Sequence, residues 1–144
     1  MKDASYSLRV AYIKSLEGIF FKDGEVFSYD EIADQEEKNY IVVSGQSSSE
    51  TSFKCGFSGD YMITLNIVCK YPIGSGTKKD SEEISNMVLE RVYPSISTTG
   101  VVISEDFDIW NTRLVTNRTI VDETGSERVI TKVLTFQHSI NQIN

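Results

Sequence analysis

The amino-acid sequence predicts an α+β domain: two helices packed on an antiparallel or mixed β-sheet with a long β-hairpin. Three observations carry this expectation. The run from Asp60 to Tyr71 alternates strictly, as a half-buried strand does. Segments with apolar residues three and four apart, one before that run and one after it, mark amphipathic helices. The final third alternates on both sides of Asp122-Glu123-Thr124-Gly125, which is hairpin chemistry. The expected order is helix, strand, strand, helix, strand, strand, with both helices on one face of the sheet.

The first helix is expected over residues 6–19, where Leu8, Ala11, Tyr12, Leu16 and Ile19 share a stripe away from Arg9, Lys14 and Glu17. Gly18 weakens its end, Asp23-Gly24 makes a turn, and Val26-Phe27-Ser28-Tyr29 can form a short extended piece. Residues 30–39 are dense in carboxylates and read as an exposed connection, and Tyr40-Ile41-Val42-Val43-Ser44 reads as a strand. Residues 45–59 hold hydroxyl-rich Ser47-Ser48-Ser49-Glu50-Thr51-Ser52 and offer only Phe53, Cys55 and Phe57 to pack. They are expected to form a long loop, either a mobile hairpin connection or an interaction arm that orders on contact with a partner.

In the strand of residues 60–71, Tyr61, Ile63, Leu65, Ile67, Cys69 and Tyr71 take one face. After Gly74-Ser75-Gly76, Asp80 is expected to cap the second helix with Glu83 at the capping-box position. Ile84, Met87, Val88, Leu89 and Val92 supply that helix's apolar face, and it stops before Pro94. In the strand that follows, Phe107, Ile109 and Val115 alternate out of phase with Trp110 and Leu114, which predicts a bulge or coverage of both faces. The last strand places Ile130, Lys132, Leu134, Phe136, His138 and Ile140 on one face, and its length suggests a hairpin that partly projects beyond the sheet.

The chain has 144 residues, 40% hydrophobic and 24% charged, and no internal repeat, so residues 1–144 are expected to form a single domain. A formal net charge of -7 and scattered basic residues argue against a general phosphate-binding surface. No run approaches the roughly 20 apolar residues of a membrane-spanning helix, and the opening residues do not read as a signal peptide. A soluble protein that is not secreted is the expectation. Cys55 and Cys69 fit a reducing compartment better than a disulfide framework.

Catalytic chemistry is sparse. His138 is the one histidine, flanked on its strand face by Phe136 and Ile140, a structural setting. Cys55 and Cys69 lack partners at zinc-ligand spacing, and no metal or cofactor is expected. Carboxylates at Asp30 and Glu31, Asp34 with Glu36 and Glu37, Glu82 and Glu83, and Glu105, Asp106 and Asp108 match no complete calcium loop and read as solvated faces. The Gly74-Ser75-Gly76-Thr77-Lys78-Lys79 run lacks the glycine spacing of a P-loop. Aromatic residues are spread through every element, as core and interface residues are, not as a base-stacking platform.

As a set, the opening helix around Leu8 and Leu16, the strand Tyr40-Ile41-Val42-Val43, the strand from Asp60 to Val68, the helix from Ile84 to Glu90 and the ending from Arg128 to His138 carry a pattern. It resembles the tail-completion or tail-terminator (head-tail joining) proteins of tailed bacteriophages. A strand followed by a Gly-Ser-Lys loop and a helix is its most characteristic part, while the serine-rich loop and long terminal strands depart from the simplest members. The resemblance implies a virion structural protein, not an enzyme. It would form a homo-oligomeric ring in the neck or tail, touching portal, connector and tail proteins, and would be assembled in the host cytoplasm. DNA would pass through the lumen without specific binding, and a negative lumen would repel its backbone.

On this reading the loop of residues 45–59 and the hairpin around residues 121–128 carry intersubunit or inter-ring contacts. Phe53, Phe57, Trp110, Glu123 and Arg128 are the candidate interface residues. Each aromatic could equally be buried within its own subunit. The competing expectation is a small hydrolase or ligand-binding protein with convergent Asp or Glu side chains in a helix-sheet cleft. A host-encoded adaptor of a type VI or other contractile system would share the physical role.

Overall fold

The computed structural model describes residues 1–22, 24–31 and 38–144. Asp23 of the expected turn and the carboxylates Asp34, Glu36 and Glu37 lie outside the described residues. The elements are α1 (Ser5–Ser15), β1 (Ile19–Phe21), β2 (Gly24–Tyr29), β3 (Asn39–Glu50), β4 (Ser58–Pro72), α2 (Lys78–Val92), β5 (Phe107–Glu123) and β6 (Glu127–Gln142). The expected α+β class with two helices and a long terminal hairpin is what the chain adopts.

Helix α1 buries Leu8, Ala11 and Tyr12 and ends earlier than its periodicity suggests. Gly18 turns left-handed (φ +72°), a conformation that costs glycine nothing. The Arg91 guanidinium of α2 then closes the exposed carbonyls, donating to Ser15 O at 3.2 Å, Gly18 O at 3.0 Å and Glu17 O. Ile19 therefore leaves the helix and enters β1, buried.

The strands lie in the order β1-β2-β3-β4-β6-β5, antiparallel except for the β2–β3 pair, so the sheet is mixed. Residues 45–50 are not loop but the second half of β3, laddered on β4 from Gly45↔Thr64 to Glu50↔Gly59. Serine is a poor strand former by composition, yet β4 supplies a complete hydrogen-bonding partner and the ladder overrides propensity. The terminal hairpin does not project past the sheet either: β4 backs β6 from Ser58↔Asn141 to Pro72↔Glu127. The phase shift in β5 is two bulges, one between Ile109 and Asn111 and one between Leu114 and Thr116.

Asp80 is not the cap of α2. Thr77 is, its side chain accepting from Lys79 N, and Glu83 pairs with Lys79 at 3.7 Å instead of closing a capping box. Asp80 sits within the first turn, buried, where Tyr71 donates its hydroxyl at 2.7 Å and Lys22 Nζ approaches to 3.4 Å. Ile84, Val88 and Val92 face the core as expected, with Met87 and Leu89 at its margin. The core lies between the helices and one sheet face, built from Ile63, Leu65 and Ile67 of β4 and Ile130, Leu134 and Phe136 of β6. The opposite face is open and hydroxyl- and amide-rich: Thr64 bonds Thr135 at 2.9 Å, Ser44 bonds Asn66 at 3.2 Å and Arg113 bonds Gln137 at 3.0 Å.

Candidate protein–protein interface

The β3–β4 hairpin ends in a tight turn. Phe53 N–H donates to Gly56 O at 3.1 Å, and Gly56 N–H returns to Phe53 O at 3.4 Å. The hydroxyl residues hold this tip together: Thr51 N–H donates to Ser58 O at 2.9 Å, Ser58 N–H to Ser52 Oγ at 3.2 Å, and Ser52 Oγ to Glu50 at 2.7 Å. With its polar groups paired locally, the tip carries its two aromatics outward, Phe53 at 65% and Phe57 at 43% exposure. Trp110 is the extra residue of the first β5 bulge and is 56% exposed, because a bulge re-aims the side chain it contains.

These three aromatics share one end of the sheet. Phe57 O accepts from Gln142 N at 2.9 Å, and both Gly59 and Ile109 pair with Ile140, one strand position from Trp110. Glu123 and Arg128 form an ion pair at 3.6 Å across the last rung of the terminal hairpin, at the opposite end. Strand rise along β6 from Ile140 to Arg128 separates the two zones by about 40 Å. The candidate residues therefore form two zones and not one site.

A third surface escapes the periodicity argument. Tyr6 and Val10 stand on the outward side of α1 and are exposed, as is Val102. With Ala11, Lys14 and Ile103 they line an open groove of about 530 Å³. The available signal was that α1 is apolar on both sides, so that its buried stripe leaves apolar residues uncovered.

The buried polar groups serve the fold. His138 is fully buried between Tyr12, whose hydroxyl meets Nε2, and Thr112, whose Oγ1 lies 2.8 Å from Nδ1. Burial pulls the imidazole down to about 4, so the ring is neutral near pH 7. Burial also raises the Tyr12 phenol well above its ordinary value, and pushes the Cys69 thiol up to about 11, away from the reactive thiolate. The groove between α1 and β2, about 400 Å³, holds the carboxylates Glu17 and Asp30, with Asp30 3.8 Å from Arg9. Among the described residues no group of three or more His, Cys, Asp or Glu is placed to hold a metal, and no helix is long and apolar enough to cross a membrane.

No protein-family profile and no curated protein matches the chain. Among solved structures, it is similar to a chain of the "Virion of native gene transfer agent (GTA) particle", with TM-score 0.71 and 12% identity over 98% of this chain and 99% of that one. At that identity the likeness establishes a shared fold from end to end.

Proposed function

We propose that this chain is a structural protein of a phage-like virion, forming a ring in the neck or tail that joins the portal side to the tail. The observation that carries the reading is the end-to-end correspondence with a chain of a gene transfer agent virion, which leaves almost no residue of either chain unmatched. Coverage this complete makes the whole chain, and not a shared motif, the unit of comparison. The surface is consistent with that role. Two contact zones about 40 Å apart on one rigid sheet suit a subunit that touches material above and below it. Closed rings form from repeated heterologous contacts of this kind.

In this reading Phe53, Phe57 and Trp110 anchor one neighbour, and the Glu123–Arg128 end meets another. The net charge of -7 suits a conduit through which DNA slides without being held. The chain acts by contact and not by turnover. Its one imidazole is sealed in the core and uncharged near pH 7, and Asp30 of the α1–β2 groove lies beside Arg9.

The test is incorporation. Deleting residues 47–52 would remove laddered residues of β3, so the cleaner perturbations are Phe53→Ser and Trp110→Ala, both at exposed positions. Each variant is expected to fold as the parent does by circular dichroism and to be depleted from assembled particles, or from rings reconstituted with the neighbouring virion proteins. Parent-level incorporation of the double variant would remove these aromatics from the interface. Failure of the parent chain itself to enter any particle would overturn the ring reading.

A further inference from the structure

The outer edge of β5 is unusual for a sheet margin. From Thr116 to Glu123 the strand is regular, because both bulges lie before it. Higher up the edge is covered, where Thr112 N–H leaves the sheet to donate to Ser97 O at 3.3 Å. Below Val115 nothing comparable caps it among the described residues. Ile120 and Val121 are 43% and 39% exposed there. A long uncapped edge with β-branched residues is a template for another strand.

The hydrogen-bonding parity is fixed from within the subunit. Thr124 N–H donates inward to Glu127 O at 2.9 Å, so Asp122, Ile120 and Arg118 also point their backbone groups toward β6. Asn117, Thr119, Val121 and Glu123 present theirs outward. Charges on an edge normally repel a second strand. Here Arg118 and Asp122 are of opposite sign, four residues apart on the open face, beside Val133 and Val129 of β6. Neither makes a side-chain hydrogen bond or ion pair with any described residue of its own subunit.

We infer that the β5 edge pairs with the β5 edge of a second copy of this chain, antiparallel about a two-fold axis through Ile120. In that register Thr119 and Val121 of one copy exchange hydrogen bonds with Val121 and Thr119 of the other. Ile120 meets Ile120, and Arg118 meets Asp122 twice. The last three are non-hydrogen-bonded pairs, in which facing side chains come closest. Shifting the register by two residues in either direction keeps the backbone parity but loses both ion pairs. The occupant that matches this edge in charge, hydrogen-bond parity and side-chain branching is therefore the edge itself. Such a pairing is isologous, distinct from the heterologous contacts of a ring, and it needs no other virion protein.

Sedimentation equilibrium and disulfide trapping of the full chain test it. The parent is expected to dimerise in the micromolar range. Arg118→Asp places like charges opposite each other twice and is expected to weaken the dimer by roughly tenfold or more. The double reversal Arg118→Asp with Asp122→Arg should restore it. Val121→Pro removes an outward N–H without breaking the ladder to β6, so it should yield a folded monomer. In a Cys55→Ser background, Ile120→Cys is expected to oxidise to a covalent dimer, since the paired Cα atoms would lie about 4.5 Å apart, whereas Asn117→Cys should not. A parent that stays monomeric at 100 μM, a dimer indifferent to Arg118→Asp, or no crosslink at position 120 in folded protein would each overturn the pairing. None of those results bears on incorporation into particles, which tests the ring separately.

Discussion

Lowering the pH from 7 to 5 is expected to remove about 2 kcal/mol of folding stability through one side chain. His138 is fully buried, and burial holds its imidazole at about 4 in the fold against an ordinary 6.5. A base whose folded pKa is depressed is protonated first in the unfolded state, so acid favours unfolding. The stability it contributes is complete above about pH 6.5 and is lost as the pH falls from there toward 4. With those two values, linkage gives a loss of about 2 kcal/mol by pH 5 and about 3 kcal/mol by pH 4, at about 1.4 kcal/mol per unit. The chain has a single histidine, and no other type of side chain ordinarily titrates between pH 5 and 7, so that window isolates it. Urea unfolding at pH 7, 6 and 5 reads the effect as a fall in midpoint of roughly 1 M. The non-titrating His138→Gln variant is expected to be less stable at pH 7 yet nearly flat across the same range. A parent whose midpoint does not move between pH 7 and 5, or a Gln variant that keeps the full slope, would refute the reasoning.

Tyr12→Phe removes the hydroxyl partner of His138 Nε2 inside the core and is expected to cost about 1–3 kcal/mol, the usual penalty for orphaning a buried polar atom, measured by urea unfolding at pH 7. Gly76→Ala is expected to destabilise by about 1–3 kcal/mol in the same assay. Its φ of +103° is unsuited to a side chain, and an added Cβ would sit 2.5 Å from the Tyr71 ring. Leu134→Ala, which hollows the centre of the helix-facing side of β6, should cost about 2–5 kcal/mol, seen as a lower thermal midpoint.

Much of this fold was legible where one local rule dominated. Strict alternation located β4 and its buried face, the broken phase between Ile109 and Val115 announced the bulges of β5, and three-four spacing placed α2. What stayed illegible depended on distant partners. The end of α1 is decided by Arg91, 76 residues from the carbonyl of Ser15. Asp80 looked like a cap but is drawn inside by Tyr71 and Lys22, which leaves Thr77 to cap the helix. The serine run became strand because β4 is long enough to template it. Of the candidate interface, sequence pattern left burial or exposure of Phe53, Phe57 and Trp110 equally open, and it is the hairpin tip and the β5 bulge that turn them outward. Their gathering at one end of the sheet, away from Glu123 and Arg128, is a matter of strand register that no local pattern contains.

On the proposed reading the chain is a fixed part of a particle. Quantitative mass spectrometry of purified virions from the system that encodes it, paired with a cryo-EM reconstruction of the neck and tail, tests this most directly. The expected result is a constant ring-like copy number per particle and density for this fold encircling the DNA path. Purified infectious particles that lack the chain altogether would contradict it.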